Sequence, residues 1–456
     1  MLAVIAFFSV FKVEHGAVRL PYRNDLDVYI GGQVCRPPRM PAMSTLRDLL
    51  RRAVELYLSS RVLRAVAVAF VLYLVVGLTW WFPGEDPWIR YAIDYDVYRL
   101  GGQALLNGDD LYGLLPDTRA GANLPFTYPP IAAVLFTVFA VIPFSTGKAL
   151  LTLATCASML GVIYLVLCEL GATRRGAFWL MFPLGAFALQ TLPMRETIDF
   201  GQVNAILMAL VVIDLFAFRG RPWQGALVGL ALAIKLTPAV FLAYFLIRRD
   251  WRALAVGIGS ALLYTGIGFL ITPRDSLTYW THTLRDPERI GEPGFASNQA
   301  LQGMLARAGV DSTLVWFLLC AVIGLACLAL MWRLFRDGHD AMAATTMGLY
   351  ALVASPVSWG HHWVWVVPAL IVLTHWAWRW LPSWRAYLLA ALVAVGAWIY
   401  WNGPHWMLNP PADDAPDWST WEQVAGSAYL WWALAALAAA ALLAPRRYAS
   451  THDQHE

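Results

Sequence analysis

Apolar and polar positions change character near residue 65. From there on, apolar runs of about 20 residues, enough to cross roughly 30 Å of hydrocarbon, alternate with short polar connectors. The first clear run, 65–82, precedes a long loop, 83–128, rich in Gly, Asp and Pro. Further runs cover 149–170, 177–192, 203–218, 253–272, 313–332, 341–354, 363–378, 386–401 and 427–443. Two stretches break the pattern. "YPPIAAVLFTVFAVIPF", from Tyr128, is short and opens on Pro-Pro, so it reads as a re-entrant or interfacial helix. "QGALVGLALAIKLTPAVFLAYFLI", from Gln224, lies between two basic connectors and must go out and return. Proline and the cost of a buried lysine predict two short helices broken at Lys235–Pro238. The pattern describes an all-α polytopic membrane protein with about twelve membrane helices.

Charge sets the orientation. Arginines cluster in short connectors (Arg61/Arg64, Arg174/Arg175, Arg219/Arg221, Arg248/Arg249/Arg252, Arg333/Arg336, Arg379/Arg385). Such connectors face the cytoplasm. Asp214, near these arginines, reads as their partner. The loop 83–128, "PMRETIDFGQVN", the Lys235 break, "FASNQALQG", "SPVSWGHHW" and a loop near Asp413 then share the outer face. Composition fits a membrane protein: the 456 residues are 59% hydrophobic and 14% charged, against roughly 25% charged in soluble domains. No basic tract suggests nucleic acid. Cys35, Cys156, Cys168, Cys320 and Cys327 show no metal spacing and read as small hydrophobes.

One motif occurs twice, as "NDLDVYIGGQ" at Asp25 and "IDYDVYRLGGQ" at Asp94. Residues 1–42 form an N-terminal extension, read either as the product of a misassigned start, since Met43 opens "MSTLRDLLRR", or as a disordered arm. Asp25 falls on the wrong side of the trace; Asp94 can meet the other outer motifs. The expected organisation is this extension, one transmembrane catalytic domain over 43–446, and a cytoplasmic tail over 447–456.

A lone carboxylate at the outer face suits a particular chemistry. A sugar carried on a lipid phosphate already has a stable leaving group. Transfer then needs a general base for the acceptor hydroxyl and cationic or hydrogen-bonding groups where charge grows on the phosphate. A second carboxylic acid, as in glycoside hydrolysis, is unnecessary. Asp94 suits the base, and Arg195, Lys235, His361 and His362 suit the phosphate.

"DYDVY", "LPFTYPP", "PMRETIDFGQVN", "GLALAIKLTPA", "FASNQALQG" and "SPVSWGHHWVW" occur in the order seen in glycosyltransferase family 87. The chain resembles that family from about residue 61 to about 368. The resemblance implies a GT-C fold whose catalytic aspartate, in the first outer loop, falls on Asp94. The family's His-His-Trp motif falls on His361, His362 and Trp363, and its Lys-Leu-Thr-Pro motif on Lys235 to Pro238. The implied donor is polyprenyl-phosphate-mannose, and the implied acceptor is a phosphatidylinositol mannoside or lipomannan. No cofactor or metal is implied. The chain departs from its relatives in carrying Asp96 and the N-terminal arm.

Each residue also has a structural reading. Asp94 could be a helix N-cap, and Asp96, a candidate acceptor or sugar contact, could equally be a solvated or structural acid. His361, His362 and Trp359 could belong to an interfacial aromatic belt, Lys235 to an ion pair, and Arg195 and Glu196 could neutralise each other. Gln202, Asn204, Asn298 and Gln299 could bind sugar or serve structure. Tyr128 is expected mainly to shape the loop, while Trp359 or Trp363 could stack on a sugar. The expected function is an inverting α-(1→2) mannosyltransferase at the outer face of the plasma membrane. The rivals are a transferase of another lipid-linked sugar such as arabinofuranose, a lipid or solute transporter, and a non-catalytic scaffold.

Overall fold

The computed structural model describes residues 29–30, 33–34, 46–79, 91–286, 289, 291–408 and 418–445. The Asp25 copy of the repeated motif, Met43, Cys35, the loop near Asp413 and the start of the 83–128 loop lie outside the described residues. Apart from one antiparallel pairing of Tyr29–Ile30 with Gln33–Val34, the regular elements described are helices.

An amphipathic helix, α1 (Leu46–Ser59), leads into α2 (Arg61–Thr79), the first long apolar helix. Helix α3 (Ile93–Asn107) carries Asp94 and lies against α4 (Pro130–Val141). Helix α4 is the expected short helix. Tyr128 precedes it, and rings near its end, Phe139 and Phe144, both meet Tyr95 of α3. Both of its ends therefore lie beside α3. Helix α5 (Phe144–Glu169) runs away from that region, about 39 Å at 1.5 Å per residue.

Helix α6 (Arg174–Gln190) returns and bends by 74° into α7 (Leu192–Phe200). Thr173 starts α6 by accepting the Gly176 N–H at 3.1 Å. Helix α8 (Asn204–Val212) then leads back to Arg219 through a wide turn at Ile213–Ala217. The broken segment follows as predicted: α9 (Ala226–Ile234) ends at an extended Lys235, a tight turn spans Thr237–Phe241, and α10 (Leu242–Arg248) continues. Its outward limb runs parallel to α11 (Trp251–Ile271) at backbone contact. A Cβ on Gly225 would lie 2.1 Å from the Ala253 carbonyl oxygen, and one on Gly229 2.4 Å from that of Gly257. Small residues four apart permit this close approach where no water drives association. Asp214 is not a partner of the arginines. Fully buried, it accepts the N–H groups of Gly225 and Val228 at 2.7 Å each and satisfies the otherwise unpaired start of α9.

The remaining long elements are α12 (Thr313–Arg336), α13 (Asp340–Ala354), α14 (Val366–Trp380), α15 (Trp384–Asn402) and α16 (Ala428–Leu443). Far from Asp94, the connectors meet: Arg219 pairs with Glu169 at 3.0 Å, Arg248 pairs with Asp340, and the Tyr244 hydroxyl reaches Asp340 at 3.2 Å. Helix α5 thus links two ends of the molecule, one holding Asp94 and the other these arginines.

Among the described residues, five helices are long and apolar enough to cross a membrane, or seven if each of two bent pairs is one span. The protein is a multi-pass membrane protein. Several runs traced as spans form shorter apolar helices, among them the segment Asn204–Ala217 and α13, and these are not in that count.

Candidate active site

The site begins with a strained turn. Ala92, just ahead of α3, has a left-handed backbone (φ 33°), and its N–H donates to the Asp199 carbonyl at 2.9 Å. On the other side of that contact, Gly201 ends α7 at φ 74°, where a Cβ would meet Tyr95 Cβ at 2.4 Å. The missing side chain lets α3 sit on the end of α7. Backbone strain of this kind persists only where its surroundings enforce it. Ala92 occupies the N-cap position, so Asp94, inside the first turn, is not the helix cap.

Asp94 is partly exposed, and its carboxylate is hydrogen-bonded by the Gln202 side chain. Gln202 is held from behind: its Oε1 accepts the Tyr98 hydroxyl at 2.8 Å and the Tyr128 hydroxyl at 3.1 Å. Those hydroxyls are 2.9 Å apart. Burial raises the Asp94 pKa to about 6, against the lowering influence of the Gln202 hydrogen bond and the Lys235 and Lys148 charges. A carboxylate of that strength is ionised at neutral pH and still basic enough to accept a proton during reaction.

The cationic half lies alongside. Lys235 Nζ donates to Asn204 Oδ1 at 3.0 Å, lies 3.3 Å from His362 Nε2 and sits 5.4 Å over the Tyr128 ring. In that contact His362 is a neutral ring accepting from the ammonium. The Asn204 amide also donates to the His361 carbonyl at 3.1 Å, which the Thr197 hydroxyl reaches at 2.8 Å. His361 is buried, and among the described residues neither ring nitrogen has a hydrogen-bond partner; its ring lies at the edges of Phe200 and His362. Asp94, Lys235 and His362 remain partly exposed while Tyr98, Gln202, Asn204 and His361 are buried beneath them. The structure therefore gathers Asp94, Tyr128, Gln202, Asn204, Lys235, His361 and His362.

The other candidates are placed differently. Arg195 is half-buried on α7 and donates to the Trp401 carbonyl at 2.8 Å, while Glu196 accepts the Trp406 indole N–H at 2.8 Å. Each therefore has a partner other than its neighbour. Asp96 is buried, accepts the Arg119 N–H at 2.7 Å and holds the following loop. Asn298 bonds the backbone of Pro293, Pro356, Ala300 and Ser358. Gln299 bonds the backbone of Ala296, Gly426 and Tyr429. Trp363 is fully buried, its indole N–H on the Ser358 carbonyl and its ring against Tyr429. Trp359 is partly exposed and packs edge-on against Phe295.

Sequence reasoning missed Lys148 and Asp199. Lys148, buried near the start of α5, donates to the carbonyls of Ile198 and of Asp199, the latter at 3.1 Å. It caps the same end of α7 that holds Ala92. A lysine beside an apolar run was the available signal, by the argument that singled out Lys235.

The family model of glycosyltransferase family 87 matches residues 126–358. A Mycobacterium tuberculosis protein named polyprenol-phosphate-mannose-dependent alpha-(1-2)-phosphatidylinositol mannoside mannosyltransferase is 38% identical over 399 residues, 83% of this chain and 91% of that one. Its namesake from Mycolicibacterium smegmatis is 38% identical over 420 residues, 87% and 92% of the two chains. An alpha-(1->3)-arabinofuranosyltransferase of M. tuberculosis is 25% identical over 294 residues, 62% and 66% of the two chains. No solved structure matches.

Proposed function

Since the chain belongs to glycosyltransferase family 87, we propose that this glycosyltransferase moves mannose from polyprenyl-phosphate-mannose to a phosphatidylinositol mannoside or the mannan of lipomannan, forming an α-(1→2) bond with inversion. The observation that carries the reading is the meeting of one basic carboxylate, Asp94, with a lysine–histidine pair, Lys235 and His362, through Gln202, Tyr128 and Asn204.

In the proposed step, Asp94 takes the proton of the acceptor hydroxyl as its oxygen attacks the anomeric carbon. The bond from that carbon to the phosphate oxygen breaks, and polyprenyl phosphate leaves with the electron pair. Lys235 and His362 stabilise the growing negative charge. Such charge stabilisation is worth several kcal/mol when donors are fixed in advance.

The same reading places the site on the extracytoplasmic side of the plasma membrane, because the paired arginine connectors collect at the opposite end. The shorter apolar helices, together with the five to seven long spans, would complete the approximately twelve crossings of a GT-C transferase. Residues 43–446 form its single catalytic domain in this scheme. Arabinofuranose is the weaker donor choice, given the lower identity to the arabinofuranosyltransferase.

The test uses the purified protein in lipid with labelled polyprenyl-phosphate-mannose and phosphatidylinositol mannosides, with unlabelled polyprenyl-phosphate-arabinofuranose as competitor. A new labelled mannolipid, insensitive to the competitor, supports the reading. Transfer of arabinofuranose but not mannose overturns the donor assignment.

A further inference from the structure

A second recess lies at the far end of the molecule from Asp94. Helix α2 starts there with Arg61 and Arg64, and its other end feeds the loop that leads to α3. Between α2 and α6 an open-sided cleft of about 420 Å³ is lined by Arg61, Arg64, Ala65, Val68, Ala69, Leu72 and Trp179. That volume is in the range of small-ligand sites, roughly 300–1,000 Å³. One end of its wall is cationic, and the rest is almost wholly apolar.

Arg64 makes the recess a built feature. It is only 9% exposed, its guanidinium lies 4.6 Å over the Trp179 ring, and its Nε donates to the Ser60 carbonyl at 3.3 Å. Tyr57 of α1 fixes the other component by donating its hydroxyl to the Trp179 carbonyl at 2.7 Å. Among the described residues neither Arg61 nor Arg64 forms an ion pair, although Arg51, Arg219, Arg248 and Arg333 all do. A buried cation in an apolar wall calls for an anion.

The neighbouring helix favours a lipid over a dissolved ion. Helix α1 exposes Leu49 and Leu56 beside a face rich in arginine, the composition of a helix lying in a membrane interface. Arg61 and Arg64 therefore stand where headgroups gather, and Val68 and Leu72 line the path into the hydrocarbon.

We propose that this cleft binds one anionic phospholipid in the leaflet opposite the Asp94 site, with Arg61 and Arg64 on the headgroup phosphate and an acyl chain along Ala65, Val68, Ala69 and Leu72. Charge complementarity selects the occupant: a zwitterionic lipid brings its own cation and gains less from two arginines that lack an ion pair among the described residues.

The test reconstitutes the full chain in bilayers of equal parts phosphatidylglycerol and phosphatidylcholine, extracts it gently and weighs the retained lipid by native mass spectrometry. Each arginine near a headgroup favours an anionic lipid roughly fivefold, so the pair gives a preference on the order of 25-fold. The double variant Arg61→Gln/Arg64→Gln is expected to lose that preference. Ala69→Trp, which fills the cleft and keeps both arginines, is expected to lose the retained lipid while the protein stays monodisperse. Equal retention of the two lipids by the wild type overturns the proposal. So does unchanged retention by Ala69→Trp, or release of the lipid by millimolar inorganic phosphate, which would mark a phosphate site without a chain.

Discussion

Replacing Gln202 with leucine isolates the group that orients the base without touching the base itself. Gln202 spends its carbonyl oxygen on the Tyr98 and Tyr128 hydroxyls and its amide on the Asp94 carboxylate. A hydrogen bond to a charged group is worth about 1.5–3 kcal/mol, so losing the one to Asp94 predicts a fall in kcat/KM of roughly 10- to 150-fold. The two tyrosines can still bond each other at 2.9 Å, which leaves one hydroxyl proton without an acceptor and costs stability about 1–3 kcal/mol. The Gln202 hydrogen bond also lowers the Asp94 pKa, so its loss moves the acid limb of the pH profile upward from about 6. The assay is mannose transfer from labelled polyprenyl-phosphate-mannose across pH 4.5–8, with thermal unfolding in detergent alongside. A merely structural glutamine would lower stability and leave the limb where it was. Activity within twofold of wild type with an unmoved limb would refute the reasoning.

Asp94→Asn is expected to abolish turnover while preserving monodispersity and donor binding; turnover within a few fold of wild type removes Asp94 from the role of base. In the wild type, kcat/KM should be level at neutral pH and fall with unit slope below about pH 6, because the raised pKa means that Asp94 protonates there and cannot accept the acceptor's proton. A limb near pH 4 would show that burial does not govern this carboxyl. Lys235→Met should cost on the order of 100- to 1,000-fold in kcat, as expected for losing a preorganised charge at a leaving group; a change confined to KM would assign the lysine to uniform binding instead. Asp340→Ala, at the opposite end, strips the partner from Arg248 and should lower thermal stability, with kcat/KM held within about threefold; a large loss of activity in a fully stable variant would tie the two ends together.

Legibility differed between the backbone and the amides. The break at Lys235 was readable because proline and lysine both oppose a continuous apolar helix, and α4 was readable from its length and its opening prolines. Asp94 and Asp96 could not be separated by type. In a helix, residues two apart point about 200° from each other, and only the packed structure says which direction is the recess: Asp94 meets Gln202, whereas Asp96 turns to the Arg119 backbone. Asn298 and Gln299 fit sugar binding as sequence, yet their partners are carbonyls and N–H groups, several of them far along the chain. Lys148 was hidden for the same reason. A lysine beside an apolar run marks it as costly, but its partners, the carbonyls at the end of α7, are about fifty residues away along the chain. Helix length was less legible than apolar composition: sequence reports hydropathy, but a break a few residues away decides how long the helix in an apolar run becomes, and among the described residues five to seven spans pass on length.

The chemistry proposed for the site depends on Asp94 and Lys235 being neighbours without being a pair. A direct contact would favour the ionised carboxylate strongly and leave a weak base. Here the lysine is held by Asn204 and His362, the carboxylate by Gln202, and the aromatic wall of Tyr128 stands beneath the ammonium. Burial raises the carboxyl and the cations pull it down, and the outcome is about 6. The balance shifts in a useful direction when a lipid phosphate enters. Its negative charge offsets the positive charge of Lys235, which weakens the influence holding the carboxyl down and makes Asp94 a better proton acceptor once a leaving group is in place. A fused ion pair would resist that change, because the phosphate would first have to separate it. The polar scaffold beneath the two groups therefore does more than locate them: it keeps base and cation individually supported, so that donor binding can strengthen one through the other.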